Sequence, residues 1–599
     1  MSKYLENVII GMMAVIVIVL SWVRLSLGIA LSDEAYYVAE ARLLAQGAVP
    51  FVNNWTQTPG HTIIYFWLVP LFENITGGTE GLLLYMRRAY FIFKLLMLSC
   101  VFLLLRKYIR PQTLVLFLLT IVVFAPFNLY MFSYNSMPPL FILLSAAFIL
   151  YTLLSDSKSI LFACLAGICM TLCCLTNPPQ IIVAIVFGFL FLACWIKFKK
   201  GQPILPPLTY IISGLISAIA IITILIIAGG GIEKLYNGIH ILLSTPYFEL
   251  QNRPLAFQLD TIKIFLTHVG HLLLYICVAI VVLALPLFFY RRYCGVHQPV
   301  AKKSLILIAC LLGLMFFVFY CLGFMGSKNM AMQRTFDAGI VILPIILFCL
   351  IDGKTGILKN LCLVFLWIPF IIYFIVSATF SAMILRNMWY VCFIANMSSV
   401  LFFSFAVQSV KTTRPGDWYS EFIKKIRPST LICIWACILI ASALLGSFTS
   451  TYRDVTFNIA DAQITKGVYK GIYTSEHNAA AILQLEASIQ KLTNANDCIL
   501  FRDAAPIGYL MTNASFCTPS TWDMTLYTNG FNDDSSLHAY FKLVDKMPNK
   551  IIYVNWGKDR VQSIDKEDYI FNNFVFENYR LAYEDNKALF PIKVFERKN

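Results

Sequence analysis

SDEAYYVAEARLLAQGAVPFVNNWTQTPGHTIIYFWLVPLF, residues 32–72, emerges from an apolar run that extends from about Val8 to Ala30. That run is too long for a signal-peptide core and has no convincing small-x-small cleavage site, so it reads as a retained first membrane span. In the quoted stretch, Asp33 to Gln46 has helix length and is ended by Gly47, with Ala35, Val38, Ala39, Leu43 and Leu44 at helical spacing. The spacing predicts a helix lying in the membrane interface. Asp33 and Glu34 stand at its start, where two acids after an N-cap Ser32 complement the helix dipole. Tyr36, Tyr37, Trp55, Gln57 and His61 add aromatic and hydrogen-bonding groups to the same segment, a mixture suited to sugars or polar head groups.

Beyond this segment the chain remains mostly apolar. Of its 599 residues 59% are hydrophobic and 13% charged, with a mean hydropathy of +0.74, against about 45–50% apolar and about 25% charged in soluble domains. With about 20 apolar residues per span as the ruler, about 13 transmembrane helices are expected, beginning near residues 8, 83, 112, 138, 160, 180, 208, 270, 304, 338, 360, 391 and 430. The net charge of +14 therefore concerns topology before nucleic acid, because most of the Lys and Arg fall in short loops. Arg106, Lys107 and Arg110, Lys197, Lys199 and Lys200, Arg291 and Arg292, Lys302 and Lys303, and the segment from Lys411 to Arg427 all become cytoplasmic if the N-terminus is inside. An odd number of spans then leaves the polar tail outside.

The expected fold is a polytopic α-helical membrane protein of two parts: a transmembrane domain, residues 1–448, and a small external α/β domain, residues 449–599. Within the tail, CILF at 498–501 and IIYV at 551–554 read as strands, and His477 to Leu492 as a helix. Long external segments are expected at 31–82 and 229–269. Most of the 17 cysteines lie in apolar runs and act as small hydrophobes; Cys498 and Cys517, in the polar tail, are the pair for which a disulfide is open. No Walker loop, no GxGxxG after a strand, no HExxH and no sustained repeat occurs. Nucleotide-driven chemistry is disfavoured accordingly.

The pattern Asp33-Glu34-x-x-Tyr37, then an Ala/Arg-rich helix ending in Gly, then an aromatic turn with Pro59 and a second apolar helix, resembles the first external loop of GT-C glycosyltransferases. Aminoarabinose transferases and protein O-mannosyltransferases are nearest in pattern. The layout of spans, long first loop and external C-terminal domain is similar throughout; agreement at motif level is confined to residues 31–70, with echoes at Met86-Arg87-Arg88, Tyr134-Asn135-Ser136 and Gln333-Arg334. Two departures stand out. Thr58-Pro59-Gly60 replaces Lys-Pro-Pro, and Asn135 stands where members often carry an acid.

The resemblance implies a sugar donor on a polyprenyl phosphate and an acceptor hydroxyl on a lipid, a cell-envelope polysaccharide or a protein, at a bacterial plasma (inner) membrane. Asp33 would be the general base, with Glu34 as helper or acceptor-binding group, and direct displacement would invert the anomeric centre. Arg334 and Lys328 lead as contacts for the departing phosphate, followed by Arg88, Arg87 and Arg24. Tyr36, Tyr37, Trp55, Gln57, His61, Tyr134 and Asn135 are the expected substrate-binding residues, and Trp522 and Trp556 are candidates for stacking on sugars. A divalent metal ion occurs in some members, but no ligand set stands out here; His268 and His271, at i and i+3, fit the start of a span better. The rival class is a transporter or flippase of a lipid-linked or polar solute, which should show paired repeats and ionisable groups near mid-bilayer. A scaffold that has lost catalysis is the third reading.

Overall fold

A computed structural model describes residues 3–243 apart from short breaks at 57, 126–128 and 156–157, then 357–370, scattered positions to 405, 428–449, and most of 459–598 together with Asp454. Six of its helices are long and apolar enough to cross a membrane: α1 (Lys3–Arg24), α4 (Leu82–Leu105), α6 (Met137–Leu154), α7 (Ser159–Thr176), α8 (Ile181–Phe198) and α9 (Leu205–Ala228). Between them lie α2 (Asp33–Ala45), α3 (Leu68–Thr76) and α5 (Pro111–Val122), and α10 (Ile232–Leu243) follows α9. Helices over Ile357–Phe370 (α11) and Pro428–Thr449 (α12) complete this part among the described residues. The spans expected near 270, 304 and 338 lie outside the described residues, and of the one expected near 391 only scattered positions from 398 to 405 are described.

Side-chain environment sorts these helices. α6 is buried on nearly every side and forms the centre of the bundle, whereas α9 turns Leu215, Ile216, Ile219 and Ile227 outward, as a lipid-facing helix does. α5 differs from the expected span near 112. Its 12 residues rise only about 18 Å, short of the ~30 Å hydrocarbon core. Its C-terminal carbonyls are met by Lys94 of α4, whose Nζ donates to Val122 O at 3.1 Å and to Phe124 O. A lysine inside a span thereby closes a helix end.

The C-terminal part combines a small sheet with helices, an α/β arrangement. Its five-stranded sheet has the order β4-β3-β5-β7-β6, built from β3 (Cys498–Arg502), β4 (Ser515–Phe516), β5 (Lys550–Val554), β6 (Tyr579–Asp585) and β7 (Ile592–Arg597). β3 runs parallel to β4 and β5, and β7 is antiparallel to β5 and β6. Alternation divides the strands by face. Ile499, Phe501, Ile552 and Val594 join the main core with Ile482, Leu485 and Ile489 of α13 (Glu476–Leu492). Leu500, Ile551, Tyr553 and Phe595 pack with Phe574 and Val575 of α14 (Ile570–Asn578). Cys498 and Cys517 form a disulfide with their Cα atoms 5.4 Å apart, which ties β3 to the segment after β4.

A small hairpin, β1 (Ala462–Gln463) and β2 (Tyr473–Thr474), clasps the ends of two spans. Gly28 N and Tyr473 O, and Tyr473 N and Ser26 O, pair the chain leaving α1 with β2 at 2.9 and 2.7 Å. Gly81 N and Leu83 N, which the first turn of α4 cannot satisfy internally, donate to Gly467 O and Val468 O at 2.9 and 3.4 Å. The α/β domain and the first loop thus share one end of the bundle. The helix Asp33–Ala45 forms almost as its sequence predicts, but it does not lie in the interface with one face open. Every residue from Glu34 to Leu44 is buried, because α3 and α4 cover it on one side and the turn Pro506–Leu510 of the α/β domain on the other.

Candidate functional site

Helical spacing gives α2 two faces with different tasks. Asp33, Tyr36, Tyr37 and Glu40 are related by steps of three and four and share one face; Glu34, Val38 and Ala41 share another. On the second face Glu34 is completely buried. Its carboxylate receives Arg87 Nε on one oxygen and Arg87 Nη2 at 2.6 Å on the other. Arg87 also donates through Nη1 to Leu25 O at 2.7 Å and Leu27 O at 3.3 Å, and through Nη2 to Gly28 O at 2.7 Å. Every N–H of the guanidinium is therefore used within the protein. The pair joins α4, the chain leaving α1 and the first turn of α2, and so fixes the backbone on which Asp33 sits.

Asp33 is half-buried, and Ser32 Oγ donates to its Oδ2 at 3.1 Å rather than capping the helix. Farther along the same face, Glu40 is fully buried. Its Oε2 accepts Asn54 Nδ2 at 2.6 Å, and its Oε1 accepts the amide and the hydroxyl of Thr521, both at 2.7 Å, and Ser520 Oγ at 3.4 Å. Burial pushes this carboxyl above the usual carboxylate range against those four donors, which pull the other way. Arg42 adds a second tie to the α/β domain, donating to Tyr509 O at 2.8 Å and Thr512 O at 2.6 Å while pairing with Glu73 at 2.9 Å. Asp454, in the segment between α12 and the α/β domain, accepts Ile29 N at 2.7 Å, Thr474 Oγ1 at 2.9 Å and Asn478 Nδ2 at 2.8 Å. None of Glu40, Arg42 and Asp454 was expected as part of the site. For Glu40 a signal existed, since seven residues separate it from Asp33 and place it on the Asp33 face.

The aromatic residues of the first loop separate into two groups. Tyr36, Tyr37, Tyr65 and Tyr134 surround His61, with ring centroids 6.4, 5.6, 5.9 and 5.9 Å from the imidazole. Tyr36 OH bonds to Thr56 Oγ1, its ring meets Trp522 edge-on at 5.2 Å, and burial holds its phenol protonated. Trp55 instead leaves this group: it is 1% exposed, donates its indole N–H to Val52 O at 3.0 Å, and packs against Tyr540 on the outer face of the sheet. Asn135 is buried in the turn before α6, where its backbone N–H donates to Ser133 Oγ at 3.2 Å. Gly60 explains one departure from the family pattern. A Cβ there would stand 2.2 Å from Leu175 O of α7, so the second proline of Lys-Pro-Pro has no room.

The candidate phosphate ligands are placed unequally. Arg24 is buried, bonded through Nε to Ser447 O and through Nη1 to Leu27 O at 2.6 Å, with Tyr130 facing its guanidinium at 5.6 Å. Arg88 is exposed on α4, with its guanidinium 5.4 Å over the Trp22 ring. Lys328, Arg334, Gln57 and Trp556 lie outside the described residues. Among the described residues no group of three His, Cys, Asp or Glu side chains converges as a metal site requires.

Neither a family model nor a curated protein matches the chain. Solved structures do. ArnT from Cupriavidus metallidurans in the apo state aligns over 98% of this chain and 97% of its own at 10% identity and a TM-score of 0.39. ArnT bound to undecaprenyl phosphate aligns over 99% and 98% at 10% identity and a TM-score of 0.38. The archaeal oligosaccharyltransferase AglB from Archaeoglobus fulgidus, in complex with an inhibitory peptide and a dolichol-phosphate, aligns over all of this chain and 74% of its own at 12% identity and 0.41. These are GT-C fold glycosyltransferases, the class that residues 31–70 resemble.

Proposed function

We propose that the protein is a membrane glycosyltransferase that moves a sugar from a polyprenyl-phosphate donor to an acceptor hydroxyl on the side of the membrane that bears the α/β domain. The observation that carries this reading is the half-buried Asp33 carboxylate on a helix turn held by the buried Glu34–Arg87 pair, in a chain of membrane spans. Asp33 takes the proton of the acceptor hydroxyl while its oxygen bonds to the anomeric carbon, and the bond to the phosphate oxygen breaks with its electron pair leaving on the phosphate. The phosphate is already an anion and needs no proton. Attack opposite the leaving group inverts the anomeric centre.

The buried ion pair holds one geometry and so keeps the turn that bears Asp33 in place. Glu34 acts through Arg87 in this reading, as a positioning residue. Arg88, exposed beside Trp22, is the described cation best able to meet a lipid phosphate, with Lys328 and Arg334 as its proposed companions. Cell-envelope glycans or lipids of a bacterial inner membrane are the proposed acceptors, with the N-terminus cytoplasmic. The test is transfer of labelled sugar from a panel of polyprenyl-phosphate sugars by purified protein. Asp33→Asn should lose at least about a hundredfold in rate while binding donor normally. Full transfer by Asp33→Asn would remove the base assignment, and solute uptake by the wild type in liposomes without transfer would favour a transporter.

A further inference from the structure

Within the aromatic group His61 stands out, since it is fully buried and its Nε2 has no hydrogen-bond partner among the described residues. Its other nitrogen, Nδ1, lies against Thr58 O. A carbonyl oxygen only accepts, so Nδ1 carries the proton and Nε2 of the neutral ring presents a bare lone pair. Burial holds the imidazole pKa down to about 4 against the opposing bond to Thr58, so the ring stays neutral at ordinary pH. A buried acceptor without a donor is costly, about 1–3 kcal/mol, and such a cost persists where a ligand relieves it. Two of the surrounding hydroxyls are committed elsewhere: Tyr36 OH to Thr56 and Tyr65 OH to Tyr37 O at 3.0 Å.

The chemistry of a ligand that fits is restricted. A lone pair walled by four tyrosine rings rejects phosphate and carboxylate, which bring no proton to donate, and accepts an uncharged O–H group. Aromatic walls suit the C–H faces of a sugar ring. The aromatic group sits on the Asp33 face of α2, since Tyr36 and Tyr37 follow Asp33 by three and four residues. It also borders the membrane part, through Tyr134 in the turn before α6 and through Gly60 against α7.

We propose that His61 Nε2 accepts a hydrogen bond from a hydroxyl of the donor's sugar, inserted among Tyr36, Tyr37, Tyr65 and Tyr134, and so recognises the sugar of the lipid donor separately from its phosphate. The assignment rests on the glycosyltransferase reading for the identity of the ligand, but its test is a binding measurement that needs no turnover. Full-length protein in nanodiscs is titrated with polyprenyl phosphate and with its glucosyl and arabinosyl esters. His61→Phe, which keeps an aromatic ring without the acceptor, should weaken at least one sugar-bearing lipid about tenfold and leave bare polyprenyl phosphate unchanged. His61→Gln, whose side-chain oxygen reaches the same position, should restore most of the loss. Equal weakening of sugar-bearing and bare lipid, or no weakening of any, overturns the assignment. If His61→Phe does not fold, the 15N signal of Nε2 in the wild type, assigned by its absence in His61→Gln, serves instead: it should move on adding the sugar-bearing lipids and stay still with the bare one, and a signal unmoved by all of them is equally fatal. Loss of the Asp33 base assignment by the transfer experiment would leave this binding preference intact, so the two failures are distinguishable.

Discussion

Removal of the Arg87 guanidinium separates its two conceivable tasks. In the structure it neutralises a completely buried Glu34 and donates to the carbonyls of Leu25, Leu27 and Gly28. Arg87→Met is close in length and apolar, so it leaves Glu34 charged, buried and unpaired, a change that costs about 3–5 kcal/mol. The freed carbonyls raise that figure, although such losses do not add linearly; about 4 kcal/mol is the working expectation. Glu34→Gln keeps an oxygen and loses the charge, so about 1–3 kcal/mol is expected, and the double variant Glu34→Gln/Arg87→Met should be more stable than Arg87→Met alone. Reversible unfolding in mixed micelles, followed by steric trapping, measures all of these on one scale. Transfer assays on the folded fraction should show kcat reduced more than KM, since the pair orients Asp33 and does not touch donor. An Arg87→Met protein within about 0.5 kcal/mol of wild type, with KM for the lipid donor raised and kcat intact, would refute this reasoning and make Arg87 a phosphate ligand.

Two further outcomes follow from packing and burial. Gly60→Ala places a methyl 2.2 Å from Leu175 O and should destabilise by about 1–3 kcal/mol, read in the same unfolding assay, whereas Gly78→Ala, with open space around it, should stay near wild type. Glu486, whose carboxyl accepts Val468 N at 3.3 Å, is pushed by burial from 4.5 to about 7. A folded-state pKa above the unfolded one means that stability is fully present below about pH 4.5 and declines as pH rises through 7; the full shift corresponds to about 3 kcal/mol at most. Thermal unfolding between pH 5 and 8 should show this decline in the wild type and lose it in Glu486→Gln.

Much of the architecture was legible where a pattern is local. The helix read from Asp33 to Gln46 runs Asp33–Ala45, the one read from His477 to Leu492 runs Glu476–Leu492, and the strands read at 498–501 and 551–554 form at Cys498–Arg502 and Lys550–Val554. What sequence could not show is who covers whom. An apolar stripe with polar neighbours describes an interfacial helix and a helix sandwiched between two domains equally well, and α2 is the second. Residue type likewise failed to separate Trp55, which packs on the sheet, from Tyr36 and Tyr37, which gather round His61. Glu34 with Arg87 and Glu40 with Thr521 are partners 53 and 481 residues apart, and only folding brings such pairs together. Lys94 is the opposite case: a charge inside a span meets the end of a short helix only 28 residues downstream.

Those separations bear on biosynthesis. Arg42 waits for carbonyls 467 and 470 residues downstream, and Glu40 for donors later still. At about 5–20 residues per second, the ribosome needs roughly half a minute to a minute and a half to supply them. Throughout that interval the first loop has left the first span while the groups that close over α2 have yet to be translated. The segment that emerges first is finished last. A chain cut short before the sheet would insert its early spans and still leave Glu40 and Arg42 open to water, so production of full-length protein and assembly of the Asp33 face become a single event.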